Sequence, residues 1–187
     1  MLEAMDTGIG QVLAMLDRLG LAKDTLVIFT NDNGGERLSN NEPFFHHKAT
    51  LWEGGIRVPG LVRWPGHVPA GKVSEQVTIT MDFTATILAA TATKPIRQLD
   101  GINLLPILQG KQPLQERTLF WRIITRPDRQ MKAVRQGNWK YVRDGEIDLL
   151  FDLQADPRER HELGYQQQAR VKEMQRLLDE WEKQFPK

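Results

Sequence analysis

The run Leu26-Val27-Ile28-Phe29-Thr30-Asn31-Asp32-Asn33-Gly34-Gly35 tells most about how this chain folds. Its first four residues are wholly apolar, which is typical of a strand buried on both faces in a parallel sheet. The polar residues that follow would lie beyond the carboxyl end of that strand, where open α/β sheets bind their ligands. Carboxylate and carboxamide oxygens are ligands of hard cations such as Ca²⁺ or Mg²⁺. Asp32 and Asn33 therefore predict a divalent-cation site, although Asp, Asn and Gly also form ordinary turns.

The segments on either side of this run complete an α/β pattern. Apolar residues three or four apart predict a helix before the strand, with one buried stripe and an end at Gly20. A second strand is predicted at residues 58–64, and Asp82 is predicted to be the N-cap of a helix over residues 83–92. The polar segment 34–55 has no clear period, and a connection of that length is typical of a functional loop.

The character of the sequence changes after residue 112. Short, partly alternating segments predict strands at residues 118–124, 132–136, 139–143 and 147–153. Two of the connections, Gly137-Asn138 and Asp144-Gly145, are hairpin signals, so the strands should form an antiparallel meander. An amphipathic helix over residues 166–184 should pack on that sheet. We therefore expect an α/β protein with a core domain over residues 1–112 and a small antiparallel subdomain with a terminal helix over residues 113–187.

Composition excludes several classes of function. The 187 residues carry 25 basic and 24 acidic side chains and a formal net charge of +1, so no strong field favours nucleic acid or an anionic membrane. The absence of cysteine excludes disulfides, thiolate metal sites and a cysteine nucleophile, and leaves the compartment open. No apolar run approaches the roughly 20 residues of a membrane span. The N-terminus lacks the pattern of a signal peptide and starts directly in a helical pattern, which we interpret as part of a longer protein.

Several motifs occur in the order in which they occur in one enzyme family. They are Met5-Asp6-Thr7-Gly8-Ile9-Gly10, residues 26–35, Lys48 with Glu53-Gly54-Gly55-Ile56-Arg57-Val58-Pro59, Arg63-Trp64-Pro65-Gly66, Asp100-Gly101-Ile102-Asn103-Leu104-Leu105-Pro106 and Asp152-Leu153-Gln154-Ala155-Asp156-Pro157-Arg158-Glu159. On these motifs the chain resembles the C-terminal portion of the sulfatase family (arylsulfatase-like), in the alkaline-phosphatase-like superfamily. The lysine five residues before Glu-Gly-Gly is the most specific of them. The resemblance implies part of an alkaline-phosphatase-like sheet-and-helix core, followed by the small antiparallel subdomain.

The resemblance also implies roles for single residues. Asp32 and Asn33 match two metal ligands, with Ca²⁺ as the expected ion and Mg²⁺ as the alternative. Lys48 matches the lysine that contacts the substrate sulfate, and His47 is a further candidate for substrate binding, with a surface position as its alternative. Glu53 and Arg57 are predicted to be a scaffold pair rather than acid/base groups. The expected substrate is a sulfated small molecule or glycan, and the family implies a periplasmic or secreted protein.

The chain departs from the family at the nucleophile, a formylglycine made from the first residue of Cys/Ser-x-Pro-x-Arg. Neither Ser39 nor Ser74 has a proline at the required place, and we interpret Thr93-Lys94-Pro95-Ile96-Arg97 as a chance match. The remaining metal ligands are also missing. We therefore expect sulfate-ester hydrolysis that needs a missing N-terminal half, and an isolated chain that is inactive. Two alternatives stay open: a non-catalytic remnant or association module that pairs with a separate N-terminal piece, and a phosphoester or phosphonate hydrolase of the same superfamily.

Overall fold

A computed structural model describes residues 1–126 and 129–185 of the chain. The chain divides into two compact units, each built from separated stretches of sequence. The first unit consists of Met1–Thr30 and Gly60–Gln115, and the second of Asn31–Pro59 and Glu116–Lys187. The predicted domains 1–112 and 113–187 differ from these units in residues 31–59 and 113–115, and as family domains they stay a prediction.

Helices and strands alternate in the first half of the chain, and strands dominate the second. In chain order the elements are α1 (Leu2–Arg18), a 3₁₀ turn (Ala22–Asp24), β1 (Val27–Thr30), α2 (Glu53–Ile56), β2 (Gly60–Arg63), α3 (Thr80–Ala90), α4 (Leu105–Leu108), β3 (Thr118–Arg126), β4 (Arg129–Gln136), β5 (Trp139–Asp144), β6 (Ile147–Asp152) and α5 (Gln168–Glu182). Within residues 1–126 and 129–185, no helix combines the length and apolarity that crossing a bilayer requires.

Helix α1 ends where the sequence predicts, but it lacks the predicted buried stripe. Gly20 has a φ of +70°, and the Leu21 N–H donates to the Leu16 carbonyl oxygen at 2.9 Å, which is the Schellman end of a helix. None of the residues of α1 is buried by the described part of the chain. Its exposed large apolar residues are Leu2, Met5, Val12 and Met15. Spacing predicts a helical face correctly, whereas burial also requires a surface that covers the face.

Strand β1 is not the buried parallel strand that its composition predicts. It pairs antiparallel with β2, with Val27 opposite Arg63 and Thr30 opposite Gly60, and all four of its residues are only partly buried. Among the described residues no strand pairs parallel with β1, so the crevice at the carboxyl ends of parallel strands stays a prediction. A four-residue apolar run is compatible with either kind of pairing, because periodicity does not distinguish them.

The helix predicted at residues 83–92 is found as α3, but Asp82 is not its N-cap. The N-cap is Ile79, and Asp82 is the third helical residue. One Asp82 carboxylate oxygen accepts the Ile79 N–H at 2.8 Å, and the other accepts the Ile102 N–H at 2.9 Å. An acidic residue satisfies free N–H groups at the helix start from either position, so the residue type alone gives the wrong boundary.

The second unit contains the predicted antiparallel meander. Its four strands are ordered β3-β4-β5-β6, and α5 packs on the sheet as expected. Side chains alternate between two covered faces. One face packs Ala133, Val142 and Phe151 against Leu51 and Trp52. On the other face, Val134, Tyr141 and Leu150 of the sheet pack against Met174 and Leu178 of α5.

Candidate functional site

All four candidate site residues lie in the irregular segment 31–52, whose shape depends on close backbone contacts. A Cβ added at Gly34 would overlap the Gly54 carbonyl oxygen, and one added at Gly54 would overlap the Phe45 carbonyl oxygen. The Gly34 N–H donates to the Gly55 carbonyl oxygen at 2.9 Å, and the Gly54 N–H donates to the Phe45 carbonyl oxygen at 2.8 Å. Glycine is needed here because two backbones meet directly. The run after β1 is thereby packed on the Glu-Gly-Gly turn of α2.

Asp32 and Asn33 begin this segment directly after β1. Asp32 is exposed and Asn33 partly buried, and neither side chain has a hydrogen bond or ion pair with another described residue. Their oxygen atoms are therefore open to a cation, and their chemistry fits Ca²⁺ or Mg²⁺. A calcium ion takes about 6–8 oxygen ligands, and two residues supply only part of that number. Among the residues described, no cluster of three His, Asp or Glu side chains could hold a metal.

Lys48 lies on the same segment, and its backbone is bonded to the candidate metal run. The Lys48 N–H donates to the Gly35 carbonyl oxygen at 2.9 Å, two residues beyond Asn33. The Lys48 side chain is 51% exposed, and its Nζ lies 3.9 Å from a carboxylate oxygen of Glu36, which is 68% exposed. Exposed pairs of this kind contribute little to stability, so the ammonium group remains available to an anionic ligand.

His47 precedes Lys48 in a turn that side chains help to fix. Its neighbours His46 and Ala49 have positive φ values of 67° and 66°, a region that is uncommon for residues other than glycine. His47 Nδ1 lies 2.8 Å from the Lys48 carbonyl oxygen, and the Thr50 hydroxyl donates to the His47 carbonyl oxygen at 2.7 Å. A carbonyl oxygen only accepts, so Nδ1 carries a proton, and Nε2 of the neutral ring is an acceptor. The structure thus places His47 and Lys48 in one turn, while their roles stay predictions.

Glu53 is the centre of a buried charge cluster that is larger than the predicted pair. Its Oε2 lies 3.5 Å from Arg57 Nη1, as predicted, and its Oε1 lies 2.8 Å from Lys140 Nζ. The same Nζ lies 2.8 Å from Glu159 Oε1. Glu159 Oε2 accepts the Glu53 N–H at 2.6 Å. The exposed fractions of Glu53, Lys140 and Glu159 are 2%, 0% and 3%, so water does not screen these charges.

Burial also shifts the pKa of two groups at this cluster, Glu159 and Arg135. Burial raises the pKa of Glu159, against the opposing effects of Lys140 and of the Glu53 N–H. Burial lowers the pKa of Arg135, whose Nη1 lies 4.0 Å from Glu53 Oε2. Sequence analysis missed Lys140 as a member. A usable signal existed, because a lysine inside a largely apolar strand is rarely buried without a partner.

Comparison with known proteins gives relatives of one family. The family model described as Sulfatase matches residues 1–93. Steryl-sulfatase of Rattus norvegicus is 34% identical over 219 aligned positions, which cover 95% of this chain and 38% of that protein. N-acetylgalactosamine-6-sulfatase of Homo sapiens is 35% identical over 201 positions, which cover 86% of this chain and 38% of that protein.

Solved structures agree with these relatives. The crystal structure of Ps i-CgsB matches with a TM-score of 0.89 and 29% identity, covering 97% of this chain and 41% of that chain. The chain therefore belongs to the sulfatase family, and the expected α/β fold of the alkaline-phosphatase-like type is confirmed. The chain spans about two-fifths of the length of the relatives it matches.

Proposed function

We propose that this chain takes part in the hydrolysis of sulfate esters, with Asp32 and Asn33 as ligands of a divalent cation and Lys48 as a contact of the sulfate group. Ca²⁺ is the first candidate ion and Mg²⁺ the second. The observation that carries the proposal is the hydrogen bond from the Lys48 N–H to the Gly35 carbonyl oxygen. It ties a lysine to the same short backbone run as two oxygen donors that have no described protein partner. Membership of the sulfatase family supports the same reading.

Each residue has a distinct task in this proposal. A divalent cation, when bound, neutralises anionic oxygens and polarises the group that they belong to. Asp32 contributes a carboxylate and Asn33 a carboxamide oxygen toward that ion. Lys48 is a compact positive charge on a flexible stem, suited to stabilising negative charge that develops on an ester oxygen. His47 presents Nε2 from the same turn and is proposed as a further substrate contact.

The nucleophile is not assigned to any residue of this chain. The sequence has no cysteine, and its two serines do not begin a Ser-x-Pro-x-Arg run. Formylglycine therefore does not fit the residues present. This mismatch supports the proposal that the 187-residue chain is inactive by itself and acts with further polypeptide.

A sulfated small molecule or glycan is the proposed substrate class. The relatives are named for steryl and N-acetylgalactosamine-6 sulfates, and Ps i-CgsB was also solved in complex with k-i-k-neocarrahexaose, at 30% identity to this chain. These names differ too much to support one substrate. A periplasmic or secreted location is proposed on family likeness alone.

Hydrolysis of 4-nitrophenyl sulfate with added Ca²⁺ tests the proposal. The isolated 187-residue chain is expected to show no turnover above its Asp32→Ala variant. In the longest polypeptide whose reading frame includes these residues, we expect turnover. In that polypeptide, Asp32→Ala or Lys48→Ala should lower kcat/KM at least about 100-fold. Asp24→Asn, which removes another exposed carboxylate near β1, is the matched control and should leave kcat/KM unchanged.

Three outcomes would contradict this assignment. One is turnover by the isolated chain that exceeds its Asp32→Ala variant. Another is full activity of Asp32→Ala in the longer polypeptide. A third is faster hydrolysis of 4-nitrophenyl phosphate than of the sulfate ester, which would favour a phosphoester hydrolase of the same superfamily.

A second candidate function, from a different class, is a non-catalytic association module. The apolar face of α1 and its C-cap favours it, because Leu2 and Val12 of the helix are 78% and 61% exposed and the C-cap Leu19 is 59% exposed. Exposed apolar surface of this kind favours association with another polypeptide. Sedimentation velocity of the isolated chain tests this candidate. A compact monomer that does not change on mixing with a separately expressed sulfatase N-terminal part would remove its support.

A further inference from the structure

Lys140 is held between two buried carboxylates. Its Nζ lies 2.8 Å from Glu53 Oε1 and 2.8 Å from Glu159 Oε1, and no part of the residue is exposed. A buried ammonium is costly unless it is paired and hydrogen-bonded, and Lys140 donates a hydrogen bond to Glu53 and forms an ion pair with Glu159. The three side chains therefore constrain one another more strongly than an exposed ion pair would.

Lys140 lies opposite another cation in the sheet, and the Glu53 carboxylate offsets the repulsion between them. Lys140 pairs across the strands with Arg135, so two cations face each other on the same face of the sheet. Like charges directly opposite each other are unfavourable. The Glu53 carboxylate lies near both cations, with Oε1 at 2.8 Å from Lys140 Nζ and Oε2 at 4.0 Å from Arg135 Nη1. The position of Glu53 is thus set by the charges of β4 and β5.

Glu53 in turn fixes the start of α2, which carries the two glycines of the Glu-Gly-Gly turn. Glu159 accepts the Glu53 N–H at 2.6 Å, so the backbone is held as well as the side chain. The next residue, Gly54, donates its N–H to the Phe45 carbonyl oxygen, and the Gly55 carbonyl oxygen accepts the Gly34 N–H. Lys48 is tied to this arrangement by its N–H bond to Gly35.

We infer that Lys140, together with Glu159, is a positioning residue for the segment 31–50, which carries Asp32, Asn33 and Lys48. The inference rests on the proposed function for its catalytic meaning, because that segment matters only if those residues bind a cation and a sulfate group. The physical coupling itself runs from the sheet through Glu53 to the Gly34, Gly54 and Lys48 amides. Lys140 and Glu159 do not touch the substrate in this account.

Amide hydrogen exchange on the full 187-residue chain tests the coupling without any assay of activity. In Lys140→Met, we expect the amides of Gly34, Lys48 and Gly54 to exchange at least about 10-fold faster than in the wild type. The matched control is Lys132→Met, which removes a lysine paired at 2.7 Å with Glu182. Lys132 neighbours Ala133 in β4 and therefore points to the opposite face of the sheet. The control should leave the exchange of the three amides unchanged.

A milder variant keeps the inference testable if Lys140→Met does not fold. Glu159→Gln retains an oxygen that can accept the Glu53 N–H and removes one negative charge beside Lys140. The same three amides should exchange faster in this variant, by at least about 3-fold. Wild-type exchange of the three amides in a folded variant would overturn the inference, as would equal acceleration in Lys132→Met.

The catalytic half of the inference is tested in the longer polypeptide. If the longer polypeptide hydrolyses sulfate esters, Lys140→Arg should keep most of the activity that Lys140→Met loses. In Lys140→Met, the rise in KM should be larger than the fall in kcat. A loss of kcat alone with unchanged KM would overturn the positioning role. If the exchange result holds and Asp32→Ala has no effect on hydrolysis, the proposed function fails while the coupling stands.

Discussion

Replacing Gly54 by alanine should destabilise the second unit, because its added methyl group has no space. A Cβ at Gly54 would overlap the carbonyl oxygens of Phe45 and His46 and would lie 2.8 Å from the Phe45 carbonyl carbon. All three are backbone atoms, so no side-chain rotation relieves the overlap. The turn at Phe45 must move, and the hydrogen bond from the Gly54 N–H at 2.8 Å must weaken or break.

The expected cost follows from these contacts. Overpacking in a fixed environment costs about 1–3 kcal/mol, and a lost hydrogen bond costs about 1 kcal/mol. Alanine also restricts the unfolded chain, which returns about 0.4–1 kcal/mol. The net loss in the free energy of unfolding of Gly54→Ala should therefore be about 1–3.5 kcal/mol.

Urea unfolding followed by circular dichroism measures this loss. The slope of the free energy of unfolding against urea concentration should stay unchanged, which checks that the unfolded state is the same in both proteins. Gly10→Ala is a control of opposite sign, because Gly10 lies in α1 and, apart from its chain neighbours and the backbone of its own helix, no atom of the described residues lies within 4 Å of its added Cβ. It should gain about 0.5–1 kcal/mol from helix propensity. If Gly54→Ala were as stable as the wild type, the close packing of Phe45 on α2 would be refuted.

Two further predictions concern carboxylates away from the candidate site. Burial alone would raise the pKa of Asp148, but hydrogen bonding, first of all from Arg143 at 2.8 Å, and the positive charge of Arg143 together outweigh it and hold the pKa below its ordinary value. The ionised group therefore stabilises the fold above about pH 4, and this contribution is lost as the pH falls further. The loss in the free energy of unfolding caused by Asp148→Asn, measured by urea unfolding, should therefore shrink from pH 7 toward pH 2. A loss that stays constant over this range would contradict the prediction. Asp82→Ala leaves the part-buried N–H groups of Ile79 and Ile102 without their carboxylate. It should lower the free energy of unfolding by about 2–4 kcal/mol in thermal denaturation, whereas a loss below about 1 kcal/mol would contradict the contacts.

Local signals explain what could be predicted from the sequence. The meander could be predicted because alternation and the Gly137-Asn138 turn depend on neighbouring residues only. The end of α1 could be predicted because glycine adopts the positive φ of position 20 without strain. The pairing of β1 with β2 lies beyond such signals. It joins segments 30 or more residues apart, and a short apolar run fits several partners.

The candidate site shows the same limit. Asp32 and Lys48 could be proposed from residue type and motif. The contacts that fix their segment, however, join parts of the chain that are far apart in sequence. Lys140 and Glu53 are 87 residues apart, and Glu159 and Glu53 are 106 apart. Sequence spacing contains no information about such pairs, so only the buried lysine itself gave a hint.

The interleaving of the two units has a consequence for synthesis on the ribosome. The chain leaves one unit for the other after Thr30, Pro59 and Gln115, so residues 31–59 emerge long before the sheet on which they pack. Until Lys140 and Glu159 have been translated, Glu53 lacks both buried partners of its charge cluster, and Trp52 has no sheet to cover it. At about 5–20 residues per second, the hundred residues in between take several seconds. During that interval the nascent segment that bears Asp32, Asn33 and Lys48 cannot yet pack on the sheet that it contacts in the folded protein.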